Sequence, residues 1–173
     1  MVERASRLIS SGGLVLGAAL GLAGTFAPSV PLRGLLWGLD GIALVVATAL
    51  LTIHYYRRQN DVVSAGFLVF VVGQALILSS AAMDLTASGP VFGAGASLWA
   101  ASLYLLSAPR VATLWVRIVG ATASVLFLVV AVQLFMGQAL TPLSQPLPLF
   151  AYPFLVATLL GWAWERYRSH LID

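Results

Sequence analysis

The sequence contains no cysteine, which removes disulfides, thiolate catalysis, cysteine-ligated zinc and iron–sulfur clusters from consideration. It also contains no lysine, so Schiff-base chemistry has no carrier. Charge of either sign is scarce: 9% of the 173 residues are Asp, Glu, Lys or Arg, against roughly a quarter in soluble domains. What remains is apolar. Hydrophobic residues make up 60% of the chain and the mean hydropathy is +0.97. The composition defines an all-α polytopic membrane protein.

Crossing about 30 Å of hydrocarbon takes about 20 mostly apolar residues. Six such stretches are present, at about 8–26, 34–54, 62–83, 91–108, 111–136 and 149–164. The first begins with basic residues but lacks a convincing cleavage site, so it reads as a span and not as a secretory signal. The whole chain, 1–173, reads as one six-helix transmembrane domain, because no connection is long enough to fold alone.

All nine basic residues are arginine. On a six-span path Arg4, Arg7, Arg57, Arg58, Arg110, Arg117, Arg166 and Arg168 share one side, leaving only Arg33 on the other. Basic loops stay cytoplasmic, so both termini are expected in the cytoplasm of a bacterial-type inner membrane. That bias also accounts for the pI of about 9.8 without a nucleic-acid partner. Arg57, Arg58, Arg110 and Arg117 are candidates for contacts with lipid headgroups, Arg117 by snorkelling its long stem. Trp37, Phe135, Phe150 and Tyr152 at one interface, with Tyr55, Tyr56, Trp115, Trp164 and Tyr167 at the other, form the expected aromatic belts. Trp99, near the middle of the fourth span, is the exception.

Two small-residue stripes suit close helix packing: Gly13, Gly17 and Gly21 on the first span, and Gly93, Ser97 and Ala101 on the fourth. They fit packing within the chain, a homo-oligomer or other membrane subunits. Ala27-Pro28-Ser29-Val30 with Leu36-Trp37 is also faintly like Ala108-Pro109-Arg110-Val111 with Leu114-Trp115. Phe67-Leu68-Val69 with Gly73 is similarly like Phe154-Leu155-Val156 with Gly161. Such a likeness raises an inverted repeat of two three-helix halves.

Polar groups at membrane depth default to a functional hypothesis. Asp40 lies seven residues inside Arg33, about 10 Å deep at 1.5 Å per residue, and Gly38 and Gly41 flank it. It suits a proton-carrying site, an anchor for a ligand, or a structural cap. Gln74 falls near the middle of the third span and Gln133 near the end of the fifth, both suited to bridging helices. Asp40, Gln74, Trp99 and Gln133 are the candidate lining of a mostly apolar pocket. The functional expectation is binding or transport of a small apolar ligand, proton-linked through Asp40, through an outward-facing pocket. The alternative is a non-catalytic accessory subunit whose glycine stripes dock on partner helices. No cofactor is expected. His54 and His170 lack metal-ligand spacing, and the one catalytic reading is an intramembrane acid pair of Asp40 and Asp84.

Overall fold

The computed structural model describes residues 2–81, 85–137 and 146–168. These described residues form six helices: α1 (Val2–Thr25), α2 (Val30–Arg57), α3 (Asp61–Ala81), α4 (Leu85–Ser107), α5 (Leu114–Phe135) and α6 (Pro146–Arg168). Helices α1 to α5 are long and apolar enough to cross a membrane. The last turn of α6 carries Glu165, Arg166 and Arg168.

Local chemistry sets the breaks. Pro28 follows the end of α1, and Ser29 caps α2 by accepting from the Leu32 amide, with Pro31 in the first turn, where a missing N–H costs nothing. Arg33 reaches back to donate to the Ala27 carbonyl and lies over Trp37. At the other end of α2 the chain turns through Gln59, whose φ of 54° is left-handed. The Asn60 amide then donates to the Tyr55 carbonyl, and its side-chain oxygen accepts from Val63 to start α3.

Several helix ends differ from the hydropathy reading. Helix α1 begins at Val2 because Glu3, Arg4 and Arg7 extend it as a polar turn beyond the apolar run. Helix α4 begins at Leu85, not 91, and carries Pro90 inside it. Helix α5 begins at Leu114, not 111, because Thr113 acts as its N-cap and Glu165 accepts from the Thr113 amide.

The helices form a closed ring in chain order. Each packs against its sequence neighbours, α6 packs against α1, and among the described residues no backbone approach is made across the ring. Every helix presents an inward stripe at spacings of three and four residues. Examples are Leu44, Ala47 and Leu51 on α2, Val63, Phe67 and Phe70 on α3, and Leu155, Leu159 and Trp162 on α6, all in one core. Outward residues are equally apolar: Leu35, Ile42, Leu68, Ile118, Val125 and Leu128 are exposed. Helices apolar on every face belong in lipid.

Ring order rules out the inverted repeat. It would map α1, α2 and α3 onto α4, α5 and α6 with reversed direction, through an axis in the membrane plane. Such an axis reverses the sense in which helices wind around the centre. Here both halves wind the same way.

Small residues set the helix spacing. A side chain at Gly73 would meet the Gly95 carbonyl oxygen at 3.2 Å, and one at Gly95 would meet the Gly73 oxygen at 3.1 Å. This reciprocal contact joins α3 to α4 and was not anticipated from the stripes. The α1 stripe is filled within the chain: Gly13 sits on Ala47, Gly17 on Leu44, and Gly21 under Tyr152 and Asp40. On α4, Gly93 faces Leu134 and Phe135 of α5, and the Ser97 hydroxyl turns back to the Gly93 carbonyl.

Candidate functional site

Because the ring leaves its axis to side chains, what fills it decides what the fold can hold. Arg4, Arg7, Arg57, Arg58, Arg110, Arg117, Arg166 and Arg168 all lie toward the end where α1 starts and α6 finishes, here the terminal face. Nearest that face, Tyr55 stacks on Phe67 with centroids 5.7 Å apart, and Trp162 meets both edge-on at 5.8 and 5.1 Å. Phe67 on α3 and Trp162 on α6 come from opposite sides of the ring, so their contact closes the axis. One level up, Phe70 stacks on Trp99 at 5.7 Å, and Phe127 meets Trp99 edge-on at 5.1 Å. Six aromatic rings from α2 to α6 thus build a floor. Aromatic pairs add roughly 0.5–1.5 kcal/mol each beyond area burial.

Above the floor the lining turns polar. Gln74 lies one turn beyond Phe70 on the inward stripe of α3 and is 2% exposed, with its Oε1 lacking a hydrogen-bond partner. Leu78 packs directly on Gly41, which fixes the register of α2 against α3. Asp40 therefore stands about one turn, roughly 6 Å, above Gln74. Asp40 is 6% exposed and its Oδ1 is also unpartnered. Its two oxygens sit over Gly17 and Gly21 of α1, where the absent side chains make room. Tyr152 of α6 crosses the same gap, and its hydroxyl and Asp40 Oδ2 both crowd the position where a Gly21 Cβ would be. The Trp99 Nε1 is buried without a partner as well. A buried polar atom left unsatisfied costs about 1–3 kcal/mol in proteins, and hydrocarbon offers no water as a substitute.

Sequence-expected residues separate accordingly. Asp40, Gln74 and Trp99 all point into the ring interior as a ladder of three levels. Trp99 does so as part of the floor. Gln133 is half-buried near the end of α5 and joins none of the described hydrogen bonds. Asp84 and His170 lie outside the described residues. Among the described residues no group of three His, Asp or Glu side chains comes together to hold a metal.

Two belt assignments need correction. Tyr55 and Tyr152 turn inward and pack against the core: Tyr55 is held between Phe67 and Trp162, and Tyr152 fills the space left by Gly21 on α1. Arg117 reaches toward the terminal face along the end of α4. It donates from Nε to the Ser107 carbonyl at 2.8 Å and from Nη2 to the Ala108 carbonyl at 3.1 Å, capping α4.

Two cavities lie outside the ring interior. One, about 610 Å³, is an apolar groove between α1 and α6 lined by Gly12, Val15, Leu16 and Trp164 among others. The other, about 470 Å³, opens at the terminal face. There Arg166, only 2% exposed, places Nη1 3.2 Å from Nε2 of His54. The sequence reading placed Tyr152 in an aromatic belt and Arg166 among the terminal-side arginines and missed their inward positions, although both continue the inward spacing of Leu155, Leu159 and Trp162.

Fold and site together define a six-helix bundle, five of whose helices are long and apolar enough to cross a membrane, with buried polar groups above an aromatic floor. No family model, curated protein or solved structure matches the chain.

Proposed function

We propose that this is an integral protein of a bacterial-type inner membrane, with both termini cytoplasmic, that binds a small, mostly apolar ligand inside the ring. The observation that carries the reading is the set of three buried, unpartnered polar atoms: Asp40 Oδ1, Gln74 Oε1 and Trp99 Nε1. An occupant with a hydroxyl or amine toward Asp40 and Gln74, and a carbonyl toward Trp99, would satisfy all three. Lipids, quinones and related amphipathic molecules have that chemistry. Closed aromatic packing below a single deep carboxylate argues against a path for charged solutes. Eight arginines at the terminal face support the cytoplasmic orientation. The accessory-subunit reading loses its footing on the glycine stripes, since Ala47, Leu44, Leu134 and Phe135 of the same chain already occupy them.

Native mass spectrometry of protein extracted in mild detergent tests the proposal. The wild type is expected to retain one small apolar mass per chain, released by organic solvent. Asp40→Asn, still monodisperse, is expected to lose it. A wild type that is empty on gentle extraction, or an Asp40→Asn variant that retains the same mass in the same amount, refutes the reading.

A further inference from the structure

The terminal-face cavity is chemically unlike the ring interior. Glu3 and Ser6 of α1, Leu50, Ile53, His54 and Arg57 of α2, Arg58 and Arg166 line it. Arg7 stands close enough to be felt electrostatically by both His54 and Arg166. Three guanidinium groups, those of Arg57, Arg58 and Arg166, thus line one cavity, with Arg7 nearby, and among the described residues Glu3 is the one carboxylate in its lining. Arg57 and Arg58 are exposed and, among the described residues, neither forms an ion pair with a carboxylate. Arg166 is held in place from inside by its contact with His54. Arg57 and Arg58 thus leave their guanidinium groups open to an anion beside Arg166, and guanidinium forks match phosphate oxygens in geometry.

The remaining wall identifies the source of the anion. Leu50 and Ile53 continue from the arginines along α2 into the apolar span, and Ile53 is 49% exposed toward the exterior of the ring. A hydrocarbon wall leading out of a cationic pocket fits a molecule with a phosphate at one end and an acyl chain at the other. The cavity volume lies within the roughly 300–1,000 Å³ of small-ligand sites.

We propose that the cavity formed by the terminal ends of α1, α2 and α6 binds one anionic phospholipid, its phosphate among Arg57, Arg58 and Arg166 and an acyl chain along Leu50 and Ile53. This reassigns the headgroup contacts expected from the sequence. Arg57 and Arg58 act with Arg166, whereas Arg117 is committed to capping α4 and Arg110 lies outside the cavity.

Delipidated protein in detergent, titrated separately with phosphatidylglycerol and phosphatidylcholine and read by native mass spectrometry, provides the test. One phosphatidylglycerol per chain is expected to persist at activation energies that strip phosphatidylcholine. Arg57→Gln and Arg58→Gln are each expected to weaken its retention about fivefold, the scale of one arginine near an anionic headgroup. Both sites are exposed, so the fold survives the change, and Arg110→Gln serves as the control that leaves retention unaltered. Equal retention of the two lipids refutes the proposal, as does an Arg110→Gln loss as large as that of Arg57→Gln. Complete displacement of phosphatidylglycerol by millimolar inorganic phosphate also overturns it, by making the site one for a free anion.

Discussion

Replacing Gln74 by Met distinguishes an empty polar ladder from one built for an occupant. The substitution keeps the length and nearly the volume of a side chain that is 2% exposed, and removes the amide whose Oε1 has no partner. Deleting an unsatisfied buried polar group returns its desolvation cost, about 1–3 kcal/mol. For chains of this size each kcal/mol moves the melting temperature by about 2–4 °C, so the solvent-stripped variant is expected to melt roughly 2–12 °C above the stripped wild type. With ligand bound that advantage shrinks or reverses. A ligand at a hundred times its Kd adds about 2.7 kcal/mol to the protein that binds it, and Gln74→Met forfeits that gain. Thermal unfolding followed by tryptophan fluorescence, on loaded and on stripped protein, reads both states. A stripped Gln74→Met that melts below the stripped wild type refutes the reasoning, because Oε1 would then be bonded in the empty ring and no occupant would be called for.

The remaining predictions concern packing and orientation. Gly95→Ala is expected to destabilise by about 1–3 kcal/mol, since its Cβ would meet the Gly73 carbonyl oxygen at 3.1 Å. Gly38→Ala, with nothing within 4 Å, is expected to be neutral or to stabilise by up to about 1 kcal/mol through helix propensity; equal melting temperatures for the two variants would sink the close-contact argument. A C-terminal green fluorescent protein fusion is expected to fluoresce, and a C-terminal alkaline phosphatase fusion to be inactive. The opposite pair of results reverses the proposed orientation.

Much of this architecture is legible in the sequence because lipid imposes strong rules. Apolar runs locate the spans, and Pro28 and Pro31 mark the first turnaround. Depth alone singles out Asp40, Gln74 and Trp99, all of which are buried with an orphan polar atom. What escapes is angular. Tyr152 lies two residues from the exposed Phe150 and looks equally like a belt residue. Only the gap at Gly21 on another helix turns it inward. Arg166 resembles its neighbour Arg168 in every compositional respect, yet one is buried and the other exposed. The period of Leu155, Leu159 and Trp162 separates them, a signal obscured by the general rule that terminal arginines face the cytoplasm. Ring order, which decides against the inverted repeat, has no sequence signature at all.

The ring in chain order also has a temporal side. Each of its first five seams joins helices made one after the other, so α2 finds α1 already present, α3 finds α2, and so on through α6. Chains emerge N-terminus first, and the nascent bundle grows by adding one wall at a time. The seam between α1 and α6 is different, since it joins the first helix made to the last. Until α6 arrives, Gly21 and Asp40 face an open flank with no Tyr152 to cross it, and Phe67 has no Trp162 to close the floor. The last helix to be synthesised is therefore the one that turns an open curved sheet of helices into a closed ring.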